Sequence, residues 1–82
     1  MDSTTQQAVA QAVRVQRVRA DFASEAELAR NAGYSPSALS KRLSGHIRLN
    51  LDDVDVLAKA LGLADGFALM EAARSERHHF TT

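Results

Sequence analysis

Only three residues, Gly33-Tyr34-Ser35, separate two helical patterns, and Pro36 follows them directly. No other feature limits the fold as much. A link this short makes successive helices cross steeply. Gly33 stands where a left-handed stop residue is wanted at the end of the first helix. Ser35 suits the N-cap of the second, and Pro36 its first helical position. Leu39 and Leu43 lie four apart and face inward, and Gly45 ends the segment. Ala29 is small where the two helices would meet.

The flanking segments read as helices too. Alanine and leucine abound and β-branched runs are absent, so the chain reads as all-α. A first helix is expected over about Thr5 to Phe22, with Ala8, Ala12, Val15, Val18 and Phe22 at helical steps. Val9 and Val13 lie beside that stripe, and the pattern leaves open which set is buried. Ser24 and Glu27 form an S-x-x-E capping box opening the second helix, with Leu28, Ala29 and Ala32 on its inner face. A fourth helix follows Asn50, with Leu51, Val54, Leu57, Ala58 and Leu61 as its stripe and Gly62 as its close. Asp52 and Asp53 read as complements to its dipole. A fifth follows an Asp65 cap, with Phe67, Leu69, Met70 and Ala73 as its apolar residues. The expectation is one domain over 1–82, with its core at about 8–74, the two crossing helices at 24–45, and 75–82 as a flexible tail.

Formal net charge is zero across 82 residues, but the charge is segregated. Residues 14–48 carry seven basic side chains against three acidic, a net of +4. Residues 49–82 carry three against six, a net of −3, and Asp2 supplies the remainder. A phosphate-facing side can therefore coexist with a neutral total. The chain has no cysteine, which removes disulfides, thiolate metal sites and cysteine nucleophiles and fits a reducing, cytoplasmic setting. The polar start "MDSTTQQ" does not resemble a signal peptide, and no apolar run reaches bilayer length.

With Leu39 and Leu43 turned inward, the helix from Pro36 presents Ser37, Ala38, Ser40, Lys41 and Ser44 outward. A helix enters the major groove only if short side chains let it approach. Serine bonds phosphates or base edges, and Lys41 reaches either. The first helix of such a pair buttresses the second across the DNA backbone.

The stretch "SEAELARNAGYSPSALSKRLSGHIRLNLDDVDVLAKALGL" resembles the lambda-repressor-like, or Cro/C1-type, DNA-binding domain. Leu28-Ala29, Gly33, Leu39-Ser40-Lys41, Gly45 and Leu57 to Gly62 fall where that family's pattern expects them, within a likeness over about Val15 to Leu69. The resemblance implies a compact five-helix bundle with a helix-turn-helix. It also implies sequence-specific binding to double-stranded operator DNA, usually as a homodimer. By position, Ser35, Ser37, Ala38, Ser40 and Lys41 match recognition-helix contacts, with Arg42 beside them. Ser44, His46 and Arg48 match the end of that helix and its loop, and Ser24 matches the start of the buttressing helix. Glu25 stands where the family often has Gln, and a carboxylate there repels phosphate. Arg42-Leu43 replaces an apolar residue followed by Glu, so a buried Arg–Glu pair does not form, and Arg19 becomes a phosphate candidate. Leu49 replaces a frequent Pro.

No catalytic set is readable, because the serines lack a base and the histidines an orienting partner, so no enzyme is expected. No cofactor or metal is expected either. His46 reads as a polar loop residue, and His78 and His79 as tail. Phe67, Leu69, Met70 and Ala73 read as core, with part of that helix available as a dimer surface. The leading expectation is a phage Cro- or repressor-like regulator that occludes its operator at the nucleoid, without a membrane. The chain is then either complete or a fragment of a longer repressor. The alternatives are a protein-interaction module, such as an antirepressor or docking domain, and an antitoxin that represses its own operon.

Overall fold

The computed structural model describes residues 3–81, with side chains described for residues 5–75. It contains five helices: α1 (Ser3–Arg19), α2 (Glu25–Ala32), α3 (Pro36–Leu43), α4 (Leu51–Ala60) and α5 (Gly66–Thr81). No strand occurs among the described residues, and the all-α expectation holds. The radius of gyration is 11.5 Å, against about 11.7 Å expected for a compact chain of this length. α5 carries helical backbone as far as Thr81, through most of the stretch read as a tail. His78 and His79 fall where side chains are not described.

Local chemistry sets the helix ends. The Ser24 hydroxyl accepts the Glu27 N–H at 3.2 Å. The return bond differs from a reciprocal box, because Glu27 Oε2 accepts from Ala23 N–H at 3.1 Å. Gly33 takes φ 89°, and Tyr34 N–H then reaches the Ala29 carbonyl at 2.8 Å, which terminates α2. Ser35 caps α3 by accepting from Ala38 N–H at 3.1 Å. Gly66 begins α5 where the chain presses on α4: a Cβ there would lie 3.3 Å from Asp55 backbone atoms. Its N–H is taken by Asp55 Oδ1 at 3.0 Å, while Asp65 caps the helix through Ala68 N–H.

α1 is shorter than expected, and it takes one of the registers that the pattern left open. It ends at Arg19, because Asp21 adopts a left-handed φ of 62° and Phe22 N–H turns back to the Arg17 carbonyl at 3.1 Å. The buried side chains are Val9, Ala10, Ala12 and Val13. Val18 is 62% exposed, since it lies at the helix end beyond the packed face. The register follows from Gln6, which is buried one turn before Val9 and Ala10. Its Nε2 donates to the carbonyls of Arg42 (3.1 Å) and Ile47 (2.8 Å), and its Oε1 accepts from Leu49 N–H at 3.2 Å. A proline in place of Leu49 would remove that donor. One α1 side chain thus fastens the loop between α3 and α4.

The core joins all five helices through Val9, Val13, Leu28, Leu39, Val54, Leu57 and Leu69, all fully buried. Besides Val18, two more residues expected in apolar stripes lie outside it. Leu51 is 80% exposed at the first position of α4, and Phe67 is 85% exposed at the second position of α5.

A polar cluster ties α3 to α4. Asp53 Oδ2 accepts Asn50 N–H at 3.1 Å, and Asn50 Oδ1 accepts Asp53 N–H at 2.7 Å. The same carboxylate accepts from the Tyr34 hydroxyl and faces Arg42 Nε at 3.4 Å. Asp53 is therefore more than the dipole complement read from its neighbour Asp52. Burial alone would raise its pKa. The Tyr34 hydroxyl, the Asn50 N–H and the Arg42 charge outweigh burial and hold it below the usual carboxylate range. Burial first, then the bond to Asp53, pushes the Tyr34 phenol up to about 12.

Two outcomes follow. Gln6→Leu strands the Ile47 carbonyl and the Leu49 N–H and leaves the Arg42 carbonyl to the Gly45 N–H, and should cost about 2 kcal/mol by urea unfolding. Asp53→Asn should cost about 1–3 kcal/mol, because it leaves Arg42 uncompensated. The folded pKa of Asp53 lies below its unfolded value of about 3.9. Its stabilisation is thus present above that value and lost as pH falls through the folded pKa. Urea midpoints below about pH 4 should fall less steeply in Asp53→Asn than in the wild type.

Candidate nucleic-acid interface

α3 is anchored on one side only. Leu39 and Leu43 are buried at 0% and 5% exposure, and fully buried Ala29 lets α2 pass close beneath. Pro36, Ser37, Ser40, Lys41 and Ser44 are exposed, and Ala38 is half-buried. The solvent side is thus narrow and short-chained, with Lys41 as its longest member.

The exposed run continues past the helix. The Lys41 carbonyl accepts the N–H groups of His46 (2.9 Å) and Ile47 (3.1 Å), which folds the following loop back over the end of α3. The Ser44 hydroxyl donates to the same carbonyl at 3.2 Å and stands 2.7 Å from His46 Nδ1. Gly45, His46, Ile47 and Arg48 are all exposed. No Asp or Glu occurs between Leu28 and Leu51, whereas Arg30, Lys41, Arg42 and Arg48 do. The exposed face therefore has no acidic residue of its own segment to screen it.

The structure gathers Ser35, Ser37, Ser40, Lys41, Ser44, His46 and Arg48 along α3 and its loop, all exposed. Ser24 is exposed at the N-cap of α2. Arg19 ends α1 and has an interaction within the chain. Arg42 is oriented differently from the expectation. Its guanidinium lies 4.9 Å from the Tyr34 ring centre, pairs with Asp53, and donates to the Ala38 carbonyl at 2.9 Å. Its side chain is only 20% exposed, so its charge serves the inner side of α3. This Arg–Asp pair ties the helix inward.

Sequence reasoning missed Arg14. Its Nη2 donates to the Leu43 carbonyl at 3.4 Å, and its Nε lies 3.6 Å from Glu25 Oε1. It also missed Gln6, Tyr34 and Asp53 as supports. Asn50-x-x-Asp53 was a readable capping signal, and Gln6 stands at helical spacing from Val9 and Ala10. Nothing local marked Tyr34 or Arg14.

Among the described residues no group of His, Asp or Glu could hold a metal ion, and no helix is long and apolar enough to cross a membrane. Searches of curated proteins and of solved structures returned no match. A family model described as a helix-turn-helix domain matches residues 4–73, which takes in α2, α3, their turn and most of the rest. The match agrees with the lambda-repressor-like resemblance. The chain belongs to the helix-turn-helix domain family.

Proposed function

We propose that the protein is a sequence-specific regulator of transcription that binds double-stranded DNA through α3 and represses by occluding its operator, in the manner of phage Cro or repressor proteins. The observation that carries this reading is the outward serine-and-lysine face of α3, which has no carboxylate in its own segment. Ser37, Ser40 and Lys41 lie in the groove, with Ala38 allowing close approach. Ser24, Ser35, Ser44, His46 and Arg48 contact the backbone, as does Arg19 from the end of α1. Arg42 contributes by holding the helix. The protein works in the cytoplasm, at the nucleoid, and is not an enzyme.

The protein acts as a homodimer, because a two-fold operator presents two half-sites about one helical turn apart. Exposed Phe67 favours this. Grooves of about 420 and 330 Å³ flank it, the first lined by Ala8, Val9 and Met70, the second by Leu51, Val54 and Met70. Of the four residues read as a dimer surface, Leu69 and Ala73 are buried at 0% and 4% and belong to the core. Phe67 and half-buried Met70 remain, with Leu51 joining them.

Selection of bound sequences from random duplexes tests the reading, with a two-fold symmetric site as the expected return. Lys41→Glu should weaken binding to that site at least about thirtyfold, from loss of a contact and added repulsion, with an unchanged melting curve. A protein-interaction module predicts instead that no duplex is enriched and that Lys41→Glu leaves function intact. Phe67→Glu should give a monomer in sedimentation and weaken binding to the two-fold site, while α3 stays folded.

A further inference from the structure

Arg14 reaches from α1 to both helices of the helix-turn-helix. It touches the first residue of α2 through Glu25 and the last residue of α3 through the Leu43 carbonyl. The side chains of Arg14 and Glu25 are 46% and 38% exposed. An ion pair so open to water is weak and is readily exchanged for another anion. The buttressing helix of such a motif crosses the DNA backbone, and that helix begins at Glu25. The other carboxylate beside α3, Asp53, is nearly buried and faces inward. Glu25 is thus the one carboxylate paired at the open edge of α2 and α3 among the described residues.

We propose that Arg14 is a phosphate contact and that Glu25 is a built-in competitor for it, setting the affinity for DNA below what the fold could reach. This inference rests on the DNA-binding reading above. In the free protein Glu25 occupies the guanidinium. On DNA a phosphate oxygen replaces it, and the released carboxylate recruits a cation from solution. The exchange therefore releases no net ion. With glutamine at position 25 the same contact displaces a counterion from the DNA and recruits none.

The test is fluorescence anisotropy of the full chain on a labelled duplex of mixed sequence over a salt series. Backbone contacts need no particular sequence. Glu25→Gln should bind about fivefold tighter at low salt. Its plot of log affinity against log salt should steepen by about 0.9. Arg14→Gln should bind more weakly than wild type, and Arg14→Gln with Glu25→Gln should lose the steeper slope. Melting curves should stay close to wild type, since the pair is exposed. If wild type binds but Glu25→Gln gains nothing, this inference fails and the DNA reading stands. It fails equally if the gain and slope persist without Arg14, since Glu25 would then act through its general field. If no variant binds any duplex, the DNA reading and this inference fall together.

Discussion

The Asp53 carboxylate joins three segments that would otherwise be independent. It caps α4 through Asn50, accepts from the tyrosine in the turn before α3, and faces the arginine in the last turn of α3. α3 has only two turns, too short to be stable by itself. Leu39 and Leu43 seat it on the core, but two leucines on one line leave rotation about that line poorly determined. The bonds at Tyr34 and Arg42 fix the rotation. Which residues face solvent follows from that, and so does any function of the exposed face. Gln6 acts similarly from the other side, by bonding the Arg42 and Ile47 carbonyls and the Leu49 N–H.

The neutral total charge conceals a division of labour. Acidic side chains gather from α4 onward, where they cap helices and pair locally, as Asp55 does with Lys59 at 3.0 Å. Two carboxylates near α3 are each met by an arginine: Glu25 by Arg14 and Asp53 by Arg42. Lys41 and Arg48 stay exposed in a segment that has no carboxylate of its own. A neutral chain can in this way present a face attractive to phosphate.

Much of this architecture was legible in the sequence, and the legible part is short-range. Ser24, Ser35, Gly33, Asn50 and Asp65 punctuate helices through bonds spanning a few residues, so their positions read directly. Leu39 and Leu43 were legible because four-residue spacing fixes one face. The stripe of α1 was not, since Val9 with Val13 and Val15 with Val18 satisfy the same periodicity equally well. A contact from Gln6 to a loop some forty residues away decided between them. Arg42 misled for a related reason. Its neighbour Lys41 is exposed, whereas the Asp53 acceptor eleven residues on and the Tyr34 ring eight residues back hold Arg42 inward. Leu51 and Phe67 fit apolar stripes, yet each stands in the first turn of its helix, where the core no longer reaches. Their exposure is a property of the surface, which periodicity does not encode.

The account stands or falls on which surface meets DNA. Titration of isotope-labelled protein with duplex DNA, followed by amide chemical shifts, locates it directly. The account predicts that the largest changes fall on Ser35 to Ser44 and on His46 to Arg48, with Leu57 and Leu69 unmoved. Changes centred on Leu51 and Phe67, with the amides of α3 unaffected, would contradict it.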